Sequence, residues 1–442
     1  MARPRTRIPL SVYLNGELVA GLSFSSTNKM QLVYALSWLT SENSRPLSLS
    51  LPLGQRPLAG PAVEYFFDNL LPDNDAIRRR IQTRFGAASD RCFDLLWHIG
   101  RDCVGAVQLL PDTEEPPRPL GITAEPLTDA RIAEILRNYQ MLPLGMQKDS
   151  DFRISLAGAQ EKTALLRHGE EWCRPHNTTP TTHIFKLPIG QTPRIDLSDS
   201  VENEWLCHLI LKEYGIPVAN AEICRFEDVK ALVVERFDRR LAKDGSWIIR
   251  LPMEDMCQAL AVPPVFKYEE DGGPGIKGIM DLLLSSQNGL SDRRMFMKTQ
   301  LLFWLLGAID GHAKNFSIYL LPGGAYSLTP LYDVISAWPM VAQGALHKKE
   351  LKMAMSVAGR NKHYYWDEIM QRHWLSTSST VRFPEGELEE IIHELLDSME
   401  DVISRVTAKL PAGFPAALAE AVFDGMRNSK SKLVNSIIIE MV

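Results

Sequence analysis

TQLLFWLLGAIDGHAKNFSIYLLPGGAYSLTPLYDVIS, residues 299–336, is the stretch whose reading decides the fold. Apolar residues over 296–308 predict a buried helix, 317–321 predicts a strand, and Pro322-Gly323-Gly324 predicts a turn before a run that ends in Tyr332-Asp333. Between helix and strand sits a polar insert. Asp310, His312, Lys314 and Asn315 stand where two hydrophobic elements meet, and Asp333 follows after one strand and one turn. The same residue types fill ordinary turns, where Asp and Asn bond their own backbone. Spacing separates the two readings.

Asp310 and Asn315 enclose four residues. The catalytic aspartate and the metal-binding asparagine of protein kinases have that separation, and a second metal-binding aspartate follows them, where Asp333 stands here. Phosphoryl transfer needs a carboxylate to orient an attacking hydroxyl. It also needs oxygen ligands for Mg²⁺, which takes one or two carboxylates together with phosphate oxygens and water. Candidate partners lie upstream. Lys186 interrupts the strand-like TTHIFKL and is either a snorkelling edge charge or a phosphate partner of the kinase type. Residues 198–214 predict a helix from the spacing of Val201, Leu206, Leu209 and Ile210. Glu204 on it is either the acid that pairs with such a lysine or a solvated residue of the first turns. A hairpin over 219–234 runs into Glu235-Arg236-Phe237. That tripeptide suits a hinge whose backbone bonds an adenine edge while Phe237 covers the ring, or it is an ordinary strand end. Ala157-Gly158-Ala159, before a strand over 163–166, lets backbone N–H groups approach phosphates. It lacks the Walker A pattern, and a plain hairpin turn has the same composition.

The chain has 442 residues, 45% hydrophobic and 23% charged, with a net charge of −6. This is the balance of a globular protein with a sizeable core, and it gives no general pull toward nucleic acid. The six cysteines (Cys92, Cys103, Cys173, Cys207, Cys224, Cys257) form no C-x-x-C pair, which points to reduced, buried thiols rather than a disulfide frame or zinc site. The N-terminal charges precede no apolar signal region, and no run of eighteen apolar residues predicts a membrane span.

Three segments are expected: 1–115, 116–240 and 241–442. In the first, SVYL-NG-ELVA is a hairpin signal centred on Asn15-Gly16. Residues 31–39 and 47–51 read as strands, Tyr65, Phe66 and Phe67 as core, and Arg78, Arg79 and Arg80 as a solvated helix face. A helix over 90–99 ends at Gly100, a plausible cap. Pro- and acid-rich 113–126 reads as a linker, followed by an amphipathic helix over 127–139. Beyond Ala337 the pattern is mostly helical, notably one long helix over 384–410. Lys348, Lys349, Lys352, Arg360, Lys362, Arg372 and Arg382 make the stretch before it locally basic, either a solvated face or a nucleic-acid patch.

With these pieces in order, the sequence resembles the HipA family of bacterial toxin kinases over nearly its whole length. RPLSLSLPL, FFDNLLPD, IGRDCVGAV, DFRISLAGAQEKTALL, PTTHIFKLPIG, VERFDRR, EDMCQAL, KYEEDGGPGI, DGHAKNFS and LTPLYDVISAWP carry the resemblance. It implies an α+β, two-lobed protein-kinase-like fold with an extra N-terminal α+β subdomain and a mostly helical C-lobe. It also implies an ATP- and Mg²⁺-dependent serine/threonine protein kinase. Asp310 would accept the proton, and Asn315 and Asp333 would hold Mg²⁺. ATP would meet Ala157, Gly158, Ala159, Gln160, Glu161 and Lys162 of one loop, Lys186, the hinge residues Glu235, Arg236 and Phe237, and His312, Lys314 and Tyr332. Ser155 corresponds to the family's autophosphorylated serine, whose modification inactivates; a phosphate adds about −1.5 to −2 charge and sits badly beside bound nucleotide. The implied protein substrate is an aminoacyl-tRNA synthetase such as the glutamyl enzyme. The implied partner is a helix-turn-helix antitoxin of HipB type that co-represses an operator, with a cytoplasmic location, nucleoid-associated in that complex, and no membrane. The stretch that faces DNA in close relatives reads SSTVR here, leaving Arg382 as its basic residue. A small-molecule phosphotransferase and a silent DNA-binding co-repressor are the rival readings.

Overall fold

The computed structural model describes residues 7–118, 121–138, 162–191 and 195–440, with side chains to 435. It divides into two units, one of Met1–Leu187, Cys224–Val265 and Ile318–Tyr326, the other of Pro188–Ile223, Phe266–Ser317 and Ser327–Val442.

The two largest sheets lie in the first unit. β1 (Leu10–Leu14), β2 (Glu17–Phe24), β3 (Met30–Tyr34), β4 (Leu58–Ala59) and β5 (Val107–Pro111) make an antiparallel sheet of order β4-β3-β2-β1-β5. The β1–β2 turn is Asn15-Gly16, both at positive φ (49° and 87°), as a tight hairpin of this hand requires. Helices Pro61–Asp68, Asp75–Phe85 and Cys92–Ile99 cover this sheet with Val63, Phe66, Phe67, Ile77, Ile81, Leu95, Leu96 and Ile99. The expected strand over 31–39 stops at Tyr34, and Leu36–Leu39 is a single helical turn instead. Residues 47–51 form no strand, only an isolated Ser48–Leu51 bridge. The Tyr34 hydroxyl explains why this segment stays buried without a ladder: it donates to Leu51 O at 2.5 Å and accepts from Leu47 N at 3.0 Å. Arg78 is also no solvated residue, since its guanidinium grips Asp68 Oδ1 at 2.7 Å and Pro72 O at 2.6 Å.

The second sheet has six strands in the order Ala221–Phe226, Val229–Glu235, β9 (His183–Lys186), β7 (Lys162–His168), β8 (Glu171–Pro175), β6 (Ala124–Pro126). The helix Asp129–Arg137, capped by the Thr128 hydroxyl on Arg131 N, adds Ile132, Ala133 and Leu136 to its core with Phe185 and Val233.

The second unit is mostly helical. The helix Gly289–Leu306 is buried along most of its length, and Gly307 (φ 58°) ends it in the left-handed conformation that glycine tolerates. The long helix expected over 384–410 is broken at Ser398 into Glu385–Asp397 and Met399–Thr407. An antiparallel pair, Lys352–Val357 with His363–Tyr365, interrupts the helical region. No helix among the described residues is long and apolar enough to cross a membrane. None of the six cysteines is in a disulfide among the described residues, and five of them are buried.

Candidate functional site

The catalytic-loop candidate in the second unit is assembled from aromatic packing outward. Phe296 and Phe303 of the helix Gly289–Leu306 meet Phe316 at 4.9 and 5.7 Å between ring centroids. This clamps the residues on both sides of Asp310–Asn315. Gly311 fits closely there, because a Cβ would lie 2.4 Å from the Phe303 ring, which would have to move to admit it. His312 N donates to Asp310 O at 2.8 Å, and Asn315 N donates to His312 O at 2.9 Å, closing the loop into one tight turn.

Asn315 is oriented at its amide end. Nδ2 donates to Asp310 O at 2.8 Å and to Asp333 O at 3.4 Å. One side chain therefore joins all three residues expected from the spacing. Its donors face protein carbonyls, which leaves Oδ1, the metal-binding atom of an amide, without a hydrogen bond among the described residues. Asp333 has φ 61°, an uncommon conformation for a residue other than glycine and one that collects at functional sites. It is held between two anchors. Leu331 N donates to Pro217 O at 2.9 Å, and Ala219 N donates to Leu331 O at 2.8 Å. Ser336 exchanges two 2.9 Å hydrogen bonds with the Asn203 side chain of the helix Ser200–Glu213, and its hydroxyl donates to Leu306 O at 2.6 Å. The end of one helix thus fixes both the Asp310 loop and the Asp333 segment. The Tyr332 hydroxyl lies 2.6 Å from Ser317 Oγ and donates to Lys314 O at 2.8 Å. One amide oxygen and one carboxylate fit Mg²⁺, whose remaining positions go to phosphate oxygens and water.

Asp310 itself is open: its side chain is 63% exposed. Oδ1 accepts from the Tyr268 hydroxyl at 2.5 Å, and His312 Nε2 lies 3.9 Å from the same oxygen. Among the described residues Oδ2 takes no hydrogen bond, so it is the oxygen presented to an incoming group. Glu204, in the same unit, is 2% exposed with His208 Nε2 3.8 Å away, which removes its reading as a solvated residue.

In the first unit, Lys186 is 5% exposed on β9, a central strand flanked by β7 and Val229–Glu235, so it is no edge charge. Its antiparallel partner in the register is Lys162. Residues directly opposite share a face, and two like charges so placed repel.

The hinge segment stands on a buried ion network. Arg236 donates to Asp238 Oδ1 and Oδ2 (3.0 and 2.8 Å), to Asp102 Oδ2 at 3.3 Å and to Thr181 Oγ1 at 2.8 Å. Arg239 and Arg250 complete it on Asp102 Oδ1, at 2.8 and 3.4 Å. Burial alone would raise the Asp102 carboxyl, but the three guanidiniums reverse that and hold it well below the usual range. Arg236 also donates its N–H to Thr182 O at 2.8 Å and accepts from Arg239 N at 3.0 Å. Its side chain and both backbone groups are therefore engaged inside the protein, and it supports the segment expected as the hinge. Glu235 is exposed. Phe237 is half-buried, its carbonyl accepts from the Tyr319 hydroxyl at 3.1 Å, and its ring stands edge-on to Tyr319. Sequence reasoning missed this network, though IGRDCVGAV and VERFDRR both carried its members.

Ser155 and Ala157, Gly158, Ala159, Gln160 and Glu161 lie outside the described residues. In the basic stretch, Lys352 pairs with Glu270 and Lys362 with Glu269, so part of its charge is neutralised locally. Arg382 is exposed at φ 52°.

Residues 154–403 match the family described as HipA-like C-terminal domain, and residues 10–110 match HipA N-terminal domain. The chain belongs to the HipA family. A relative named putative kinase Y4mE, from Sinorhizobium fredii, is 34% identical over 358 residues, 79% of this chain and 81% of its own length. The serine/threonine-protein kinase toxin HipA of Shewanella oneidensis is 29% identical over 352 residues, 74% of this chain and 75% of its own. The solved structure of Shewanella oneidensis MR-1 HipA with HipB and operator DNA superposes with a TM-score of 0.81 at 24% identity, covering 96% of this chain and 97% of that one. The HipA fold, α+β and protein-kinase-like, is therefore the fold of this chain.

Proposed function

We propose that this HipA-family chain is an ATP-dependent serine/threonine protein kinase acting as the toxin of a HipBA-type module. The observation that carries the proposal is the Asn315 side chain, tied at its donor end to the Asp310 and Asp333 backbones, with the Asp310 carboxylate open beside it. Asp310 orients a Ser or Thr hydroxyl through Oδ2 and accepts its proton as the oxygen–phosphorus bond forms and ADP departs. Asn315 Oδ1 and the Asp333 carboxylate are the magnesium ligands. Magnesium, when bound, neutralises charge on the phosphates during transfer. Lys162 and Lys186 bind those phosphates, and Glu235 and Phe237 flank the adenine. The placement of Lys162 and Lys186 opposite each other on neighbouring strands, on one face of the sheet, supports the phosphate assignment.

The fuller reading adds autophosphorylation of Ser155 as inactivation, an aminoacyl-tRNA synthetase as substrate, and co-repression of the operon with a HipB-type antitoxin in the cytoplasm. The test is incubation of the purified chain with γ-labelled ATP and Mg²⁺, first alone and then with a panel of aminoacyl-tRNA synthetases, followed by peptide mapping. Label on Ser155 and on one synthetase is the expected result. Asp310→Asn should lower incorporation by about a hundredfold or more with its thermal midpoint unchanged. Label appearing only on an added aminoglycoside would replace the reading with a small-molecule phosphotransferase, and no label on any acceptor would end it.

A further inference from the structure

The loop KYEEDGGPGI, residues 267–276, is built to deliver one side chain, Tyr268, to Asp310. Tyr268 donates its hydroxyl to Asp310 Oδ1 at 2.5 Å. Its ring meets the His312 ring edge-on, with centroids 5.0 Å apart and an interplanar angle of 83°. The backbone beneath it is pinned at several points. Gly273 N donates to Tyr268 O at 2.9 Å, and Lys267 O accepts from Ala313 N at 3.3 Å, which ties this loop to the catalytic one. A Cβ at Gly273 would lie 1.9 Å from the backbone Phe266 O, so that position admits only glycine, and one at Gly275 would lie 2.2 Å from the Glu269 carboxyl carbon and would push that side chain aside. Glu269 fastens the loop to the strand Lys352–Val357, accepting from Ser356 N at 2.6 Å and from Ser356 Oγ at 2.9 Å, and it pairs with Lys362 at 2.8 Å.

We infer that Tyr268 is a positioning residue for phosphoryl transfer: it holds Asp310 by Oδ1 so that Oδ2 is presented to the hydroxyl of the protein substrate. This rests on the kinase reading above. A carboxylate that is 63% exposed has no other fixed orientation among its hydrogen bonds, and a charge-assisted hydrogen bond from a phenol supplies one. The Tyr268 hydroxyl takes the proton-accepting face of one oxygen only, which leaves the second for the reaction.

The experiment follows the rate constant for incorporation of γ-labelled phosphate into the full-length chain at saturating ATP and Mg²⁺. Tyr268→Phe should lower that rate constant by about tenfold to a hundredfold. The ATP concentration for half-maximal rate and the thermal midpoint should stay at the parent values, since the contact acts on the carboxylate alone. A second variant, Glu269→Gln, keeps the phenol and loosens its anchor. It should give a smaller loss, and Tyr268→Phe added to it should be no slower than Tyr268→Phe alone, because both act through one contact. An unchanged or raised rate constant in Tyr268→Phe overturns the inference, as does a loss that appears only as weaker ATP binding. If the parent chain incorporates no label while correctly folded, the kinase reading fails instead, and the two failures are distinguishable in one assay.

Discussion

Asp310 and Glu254 show how differently two carboxylates are treated within one chain. Asp310 is open, steered by a phenol and ready for exchange. Glu254 is fully buried; Oε1 accepts from Leu49 N at 2.8 Å, whereas Oε2 has no hydrogen-bond partner among the described residues. Burial pushes its carboxyl up to about 8, with Ser48 and the Leu49 N–H pulling the other way. The sign of its effect on stability follows. Below about 4.5 both folded and unfolded chains keep the proton, and above it only the unfolded chain releases it. The stability this group contributes is complete at acid pH and is lost progressively as pH rises toward about 8. Glu254→Gln removes that titration. In thermal melts the variant should gain on the parent between pH 5 and pH 8, by on the order of 1 kcal/mol per pH unit at most. A constant difference across that range would contradict the assignment.

The helix Gly289–Leu306 is the element on which the site depends. Phe296 and Phe303 grip Phe316, its last carbonyls receive Ser336 Oγ and Gly307 N, and the Asp310 loop leaves from its end. Gly311→Ala tests this directly, since the added methyl group must displace the Phe303 ring. A crowded core change of this kind costs about 1–3 kcal/mol, and the displaced ring carries the loop with it. The expected outcome is a lower unfolding midpoint together with a loss of phosphoryl transfer larger than the change in folded fraction explains. Parent-like kinetics in the folded fraction would show that the loop geometry does not depend on this contact. The helix itself was legible from its apolar run, because burial on most sides leaves an unbroken hydrophobic signal. The break at Ser398 was not, because Leu388 to Val406 keep a helical apolar rhythm on both sides of it.

For the whole molecule, a net charge of −6 sets the expectation for DNA. Affinity for a duplex grows with the number of phosphates neutralised by Lys and Arg. Here Lys352 and Lys362 already have acidic partners. On the proposed reading as a HipBA-type module, in a mobility-shift assay at about 150 mM salt the chain alone should leave the module's operator unshifted, and a HipB-type partner should shift it with the chain included. Arg382→Ala should weaken that ternary complex by no more than a few-fold, as loss of one phosphate contact would. A strong shift by the chain alone would mean that its surface presents a basic face that the local pairings do not describe.

The sequence by itself determined the family, through its ordered motifs, and the hairpin at Asn15-Gly16, and its spacing marked Asp310, Asn315 and Asp333 as candidates, because these signals are short-range. Only the tertiary structure decided what surrounds them. The network of Asp102 with Arg236, Arg239 and Arg250 joins residues up to 148 positions apart, and it turned an expected nucleotide contact, Arg236, into a buried support. The Tyr268–Asp310 hydrogen bond spans 42 positions and leaves no periodic trace. Spacing in a sequence reports what neighbours along the chain can do together; which distant side chains share one carboxylate is fixed only when the packed core brings them there.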